Sequence, residues 1–223
     1  MAIPAALHRV AAKHGVKYIL SGGNLSTEGM LPKSWHYDVR DLKYFNHVCK
    51  FFGALKLRRF PTFGYRTEAY YKLFKGMKMV YPLNFVPYIK EDACQLLKEK
   101  FDWKACGGKH HESRFTKFVQ SYYLYEKFGI DYRRVDFSIQ VCDGKMSREA
   151  ANELLKYKPY VPLEVEQETD YISKKFDMSK DEFENMIGLT PKWYWDYPND
   201  EKKLGFIYDM YRLLFRKEKL DRF

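Results

Sequence analysis

The chain has 223 residues, of which 46% are hydrophobic, 18% aromatic and 30% charged. That composition suits one large domain or a core with an appendage, and it excludes a disordered chain. Lys and Arg number 39 against 29 Asp and Glu, a net charge of +10, which favours anionic partners. The basic residues are dispersed, with no run of five, so small anions are expected ahead of nucleic acid. Apolar stretches are broken by Lys, Asp or Pro well short of the roughly 20 residues of a spanning helix, and no secretory leader opens the chain. A cytoplasmic protein without a membrane anchor is expected. Cys49, Cys94, Cys106 and Cys142 are too scattered for a paired zinc site, and reduced, mostly buried thiols are expected.

Ile3 to His14 reads as a helix with Leu7, Val10, Ala11 and His14 on one face, ended by Gly15. Val16 to Leu20 is a short apolar run entering Ser21-Gly22-Gly23, which reads as a strand leading into a tight turn. Helix, glycine, strand and glycine turn is the order of an α/β unit with a parallel sheet. After Pro32 a helical repeat carries Leu42, Phe45, Val48, Cys49 and Phe52 up to Gly53. Residues 54–88 contain Pro61, Gly64, Gly76, Pro82 and Pro87 and read as irregular, with a short helix near Glu68 to Phe74. Ile89 to Phe101 reads as a helix burying Ala93, Leu96 and Leu97.

Ser113 to Phe128 is the next helix, with Phe115, Phe118, Val119, Tyr122 and Tyr123 on its apolar face, stopped by Gly129. Ser147 caps a helix through Leu155. Ser179 and Glu182 form a capping box ahead of Phe183, Met186 and Ile187. A long last helix starts at Asn199, with Leu204, Ile207, Tyr208, Tyr211, Leu214 and Phe215 in register. The expected fold class is α/β: mostly helical around a small piece of parallel sheet.

Two segments carry chemistry. Ser21 to Trp35 reads S-G-G-N-L-S-T-E-G-M-L-P-K-S-W. Glycines after a strand let the backbone approach a ligand, and open amides there can face phosphate oxygens. Asn24, Ser26 and Thr27 add polar groups, and Glu28 is a hard-oxygen donor suited to Mg²⁺. A plain turn capping the next helix reads equally well from residue types alone. The second segment, Gly107 to Arg134, sets Lys109, His110, His111 and Glu112 at a helix N-terminus, with Arg114 and Lys117 about one turn on. Positions 110, 114, 117 and 121 share a face at helical spacing, an arrangement that reads as an anion clamp or as a solvated face. Adjacent histidines diverge on a helix, so His110 and His111 do not share one metal.

Together these segments resemble the N-acetyl sugar amidotransferase family, relatives of the O-antigen enzymes that turn an acetamido sugar into an acetamidino sugar. The resemblance runs from A-I-P-A-A-L-H-R-V-A through Y-I-L-S-G-G-N-L-S-T-E-G-M-L-P-K-S-W and G-G-K-H-H-E-S-R-F-T-K-F to K-F-G-I-D-Y-R-R. It implies a PP-loop fold, the C-terminal part of a parallel-sheet domain: a remnant of that α/β domain over 1–60, a helical substrate- and phosphate-binding region over 61–145, and a helical appendage over 146–223. It also implies ATP and Mg²⁺, an N-acetyl sugar nucleotide or sugar acid as substrate, and a separate glutaminase subunit supplying ammonia.

The stretch Gly22 to Glu28 resembles the G-T-D-H-A-A-E turn of NAD synthetases, which implies Glu28 on Mg²⁺. The implied nucleotide contacts are Ser21, Gly22, Gly23, Asn24 and Thr27 with Lys109, Arg114 and Lys117, and His110, His111 and Glu112 lie near the reacting atoms. Two departures stand out. Ser21-Gly22-Gly23-Asn24-Leu25-Ser26 nearly spells the nucleotide loop S-G-G-x-D-S, yet Leu25 occupies the acidic position and can hold neither metal nor proton. Family members carry that loop upstream of the helix that here opens the sequence, so an N-terminal PP-loop half, from a separate polypeptide as a partner or from omitted sequence, is expected to complete it. Also, Val135-Asp136 follows Arg133-Arg134 where the family continues Ala-His. A non-catalytic remnant that binds sugar or protein, and a basic RNA-modifying PP-loop relative, are the competing expectations.

Overall fold

The computed structural model describes residues 1–25, 31–86, 88–104 and 111–215. In chain order the elements are α1 (Ala2–Lys13), β1 (Tyr18–Leu20), α2 (Leu42–Phe52), α3 (Tyr65–Leu73), β2 (Lys78–Val80) and α4 (Lys90–Phe101). Next come α5 (Arg114–Phe118), a π-helical turn (Val119–Tyr123), α6 (Leu124–Phe128), α7 (Arg133–Cys142), α8 (Arg148–Leu155), α9 (Pro162–Lys175), α10 (Lys180–Gly188) and α11 (Glu201–Phe215). The protein is therefore mostly helical with a small parallel sheet, and it divides into two compact units. One comprises the described residues of Met1–Gly22, Pro32–Pro82 and Lys192–Phe223, the other those of Gly23–Leu31 and Leu83–Pro191. Among the described residues no helix is long and apolar enough to cross a membrane.

In the first unit β1 and β2 pair in parallel, Tyr18 beside Lys78, Ile19 beside Met79 and Leu20 beside Val80. The ladder extends at both ends, where Lys78 N donates to the Lys17 carbonyl (2.8 Å) and Ser21 N to the Val80 carbonyl (2.9 Å). The second strand lies in the stretch expected to be irregular. Its three residues are too few to show a period, and only the partner strand defines it. Parallel sheets are normally covered on both faces, yet Tyr18 and Leu20 are 62% and 70% exposed.

Helix α1 turns a different face inward from the one its apolar residues suggest. Ala5, His8 and Ala11 are buried, whereas Leu7, Val10 and His14 lie at the surface with Ile3. The cause is aromatic packing from a distant segment. The His8 ring lies 4.5 Å from Phe63 and 5.3 Å from Tyr71, and its Nδ1 meets the Pro4 carbonyl at 2.8 Å.

Elsewhere in this unit Asp41 caps α2 and is fully buried beneath a group of tyrosines. Arg40 bridges Asp38 (2.9 Å) and Glu68 (2.8 Å), tying the approach to α2 onto α3.

The second unit packs around Phe118, Ile172 and Phe183, with Val119, Tyr122, Tyr123, Val165, Met178 and Ile187 against them. Ser113 caps α5 by accepting from Thr116 N, so the helix begins at Arg114, and His111 and Glu112 form the turn before it. The expected helix to Phe128 is interrupted by the π turn and stops at Gly129, whose φ of 66° is the left-handed conformation glycine adopts without strain. Phe115, expected inside, is 49% exposed.

Ser147 and the Ser179–Glu182 capping box start α8 and α10 as the sequence reads. Along α4, Leu96 and Leu97 face out instead of in. Cys49 and Cys94 are half-buried free thiols and Cys142 is an exposed one, so the expectation of buried thiols fails for these three. Cys106 lies outside the described residues.

Candidate functional site

Helices α5 and α9 run side by side in opposite directions, and paired charges set their register. Arg114 Nε donates to both carboxylate oxygens of Glu168 (3.1 and 3.0 Å), and Lys117 Nζ donates to Glu164 (2.8 Å). The acids sit four residues apart on α9 and the bases three apart on α5, so each set lies on one helix face. Arg114 also lies over the Tyr171 ring at 3.7 Å. Exposed pairs of this kind contribute about 0.2–1 kcal/mol each, so they orient the helices more than they hold them.

A cavity of about 250 Å³ opens beside these pairs. One wall is Lys117, Phe118, Ser121 and Tyr122, from the end of α5 and the π turn. The facing wall is Glu164, Val165 and Glu168 of α9. Arg133 and the segment Lys158, Pro159, Tyr160, Val161 close its end. Pro162 takes the first position of α9, where its missing N–H costs nothing, so the chain turns sharply out of the 158–161 segment.

The π turn coincides with the cavity wall. Ser121 Oγ donates to the Lys117 carbonyl at 2.6 Å, taking up one of the groups whose bonding a π turn rearranges. Single π turns of this kind recur at functional sites because they re-aim side chains without ending a helix.

At the closed end the polar groups are bonded to one another. Tyr160 donates its hydroxyl to Glu126, and Lys158 Nζ donates to Tyr160 (2.6 Å) and Glu126 (2.9 Å). The bonds from Tyr160 and then Lys158 hold the Glu126 carboxyl below its ordinary range. The bonds to Tyr160 and then to Glu126 raise Lys158, and burial followed by the bond to Glu126 raises Tyr160. Burial, then the charges of Glu126 and Glu184, raises Tyr122. The Tyr122 and Tyr160 rings meet edge to face at 5.1 Å.

Arg133 is anchored too. It forks onto the buried Asp131 (2.6 Å) and donates to the carbonyls of Leu154 (3.2 Å) and Tyr157 (2.7 Å). Every one of these resolved shifts favours the charge state already present at neutral pH. The cavity therefore presents two neutral phenols, fixed ion pairs and an apolar floor.

The residues singled out from sequence divide into four groups. Arg114 and Lys117 stand together on the α5 face, Lys117 lining the cavity and Arg114 holding Glu168 beside it. Ser21 and Gly22 follow β1, and Gly23 and Asn24, the latter buried, belong to the other unit. His111 is half-buried and Glu112 exposed in the turn before Ser113, away from the cavity walls. Thr27, Glu28, Lys109 and His110 lie outside the described residues.

Among the described residues no three His, Cys, Asp or Glu side chains converge as a metal would require. The sequence reading missed Arg133, Lys158, Tyr160, Glu164 and Glu168, and it placed Tyr122 only in the apolar core. The available signal was the i, i+4 spacing of Glu164 and Glu168, a mirror of the Arg114 and Lys117 face.

Fold and cavity together describe two compact units, one holding the small parallel sheet and the other helical and holding the cavity. Residues 112–213, somewhat less than half of the chain, match the family described as LPS biosynthesis protein WbpG-like, C-terminal domain. That segment includes every residue that lines the cavity. No curated protein and no solved structure matches the chain.

Proposed function

We propose that the chain acts in lipopolysaccharide biosynthesis, as part of an ATP-dependent amidotransferase that converts an N-acetyl sugar into its acetamidino form. The single observation that carries the lipopolysaccharide role is the match of residues 112–213 to the WbpG-like C-terminal domain, which spans the whole cavity. The reaction itself is supported by the resemblance of Ser21 to Trp35 and of Gly107 to Arg134 to sugar amidotransferases.

An amide carbonyl is a poor electrophile because its oxygen does not leave. Transfer of AMP from ATP to that oxygen releases pyrophosphate and makes it a good leaving group. Ammonia from a glutaminase subunit then adds to the carbon, and AMP departs with the oxygen. Glu28 is the residue that would hold Mg²⁺, whose chemistry is to neutralise the departing pyrophosphate. Lys109 would serve the phosphates, with His110, His111 and Glu112 near the reacting acetamido group.

An S-G-G-x-D-S-bearing half, on this polypeptide or another, would have a surface to cover on the first unit. Its two-stranded parallel sheet has exposed Tyr18 and Leu20, and α1 presents Ile3, Leu7 and Val10 to solvent. Two strands with an open apolar surface are normally marginal until further strands or helices cover them.

The test is reconstitution. The chain is co-expressed with a loop-bearing half and a glutaminase, then supplied with ATP, Mg²⁺, glutamine and candidate N-acetyl sugar nucleotides. Mass spectrometry reads exchange of oxygen for NH on the sugar. No exchange with any such sugar, together with an unaltered lipopolysaccharide profile in a deletion strain, would sink the proposal.

A further inference from the structure

We propose that the cavity between α5, the π turn and α9 is a subsite for a single uncharged sugar ring, and that Arg114 and Lys117 shape it as members of ion pairs and do not bind phosphate there. The inference deepens the reading above, on which the ring would belong to a surface-glycan precursor.

Charge is the first ground. The cations at the walls are Lys117, Arg133 and Lys158, with Arg114 just behind. Each has its own carboxylate: Glu164, Asp131, Glu126 and Glu168 respectively. A phosphate or carboxylate ligand would have to displace one of these acids or sit in a locally neutral site. Anion sites instead present donors in excess over acceptors.

Shape and lining are the second ground. The cavity holds about 250 Å³, below the roughly 300–1,000 Å³ of clefts that enclose a drug-sized ligand. It therefore takes one ring and not a whole nucleotide sugar. A sugar ring has apolar C–H faces and a rim of hydroxyls. The cavity offers the matching pair: Phe118, Tyr122 and Val165 as an apolar floor, with Glu164, Glu168 and Ser121 as acceptors and a hydroxyl at the edge. Carboxylates already fixed by Lys117 and Arg114 can still accept from neutral hydroxyls, since each has lone pairs to spare. The π turn supplies the third ground, because it places Ser121 and Tyr122 on this wall.

The experiment uses the full chain without ATP, metal or partner chains. Saturation-transfer NMR and calorimetry are run with methyl N-acetyl-β-glucosaminide, methyl β-glucoside, glucuronate and inorganic phosphate. The expected result is transfer to the two neutral glycosides, and weaker or no binding of glucuronate and phosphate.

Glu164→Gln keeps the shape of its side chain and should weaken glycoside binding about fivefold, the loss of one charge-assisted bond. Val161→Trp, at an exposed lining position, should abolish binding by filling the cavity with the larger ring. Far-UV circular dichroism checks that both variants fold. Tighter binding of phosphate or glucuronate than of either glycoside overturns the inference, as does glycoside binding unchanged in folded Glu164→Gln. Absence of binding by both glycosides overturns it as well. None of these outcomes depends on amidotransfer, so failure of reconstitution and failure of the subsite are read separately.

Discussion

Asp41 and Tyr194 stand 153 residues apart in sequence, and the tyrosine hydroxyl donates to Asp41 Oδ2 at 2.5 Å. The same carboxylate accepts from Asp200 N (2.7 Å) and, through its other oxygen, from Tyr44 N at the start of α2 (3.0 Å). A fully buried carboxylate is tolerated because three donors replace its water. Burial followed by the bond to Asp41 raises the Tyr194 phenol far above its ordinary range, so it donates at every physiological pH.

Removing that carboxylate orphans three donors at once. Asp41→Ala is expected to destabilise the chain by about 3 kcal/mol, and Tyr194→Phe by about 1.5 kcal/mol, with urea midpoints as the measure. Equal small losses in both variants would mean the clasp carries little of the fold.

The Arg40 cluster predicts an acid-sensitive step. Burial alone would raise Asp38, but bonds from Arg40 and Tyr65 outweigh it and hold the carboxyl at about 2. Glu68 is likewise lowered, burial being outweighed by Lys72 and Arg40. A depressed carboxyl stabilises the fold above its unfolded pKa near 3.9 and loses that contribution as pH falls towards its folded value. Stability should therefore drop between about pH 4 and pH 2, by an amount on the order of 1 kcal/mol after solvent screening. Thermal unfolding of Arg40→Met across that window should have a shallower slope than the parent.

Arg133→Lys tests whether fork geometry or charge is needed beside the cavity. Lysine keeps the charge on buried Asp131 but cannot also reach the Leu154 and Tyr157 carbonyls. A loss of about 2 kcal/mol is expected, measured by urea unfolding. A loss under about 0.5 kcal/mol would show that a point charge suffices.

The open face of α1 separates partner binding from stability. Leu7→Glu and Val10→Glu change residues 46% and 57% exposed, so the melting temperature of the chain alone should move by no more than a few degrees. In the reconstituted system the same substitutions should lower recovered activity severalfold if this face seats the loop-bearing partner. Full activity of the double variant would exclude the face as that interface.

Much of the local structure was legible because its signals are local. Ser147, Ser179 with Glu182, and Gly129 mark helix ends through bonds or dihedrals spanning a few residues, and each stands where the sequence reads it. The candidate site was legible only on its α5 side. Arg114 and Lys117 declared a charged face, but whether solvent, ligand or acid would meet it depended on α9. Helix α1 misled for a related reason. Spacing favoured Leu7, Val10 and Ala11; Ala11 is buried, but Phe63 and Tyr71 pack on His8, and Ala5 and His8 are buried in place of Leu7 and Val10.

By itself, then, the sequence determined where α8 and α10 begin, the stop of α6 at Gly129, the strand entering the glycine turn at Ser21, and the excess of basic charge. Those follow from capping bonds, allowed dihedrals and composition, which act over a turn or less. Tertiary structure alone decided that Lys78–Val80 is a strand, that Asp41 is buried under Tyr194, and that Glu164 and Glu168 neutralise the α5 bases beside a cavity. Each of these joins groups tens of residues apart in the chain, and the free energy of such a contact exists only once both partners have been brought together.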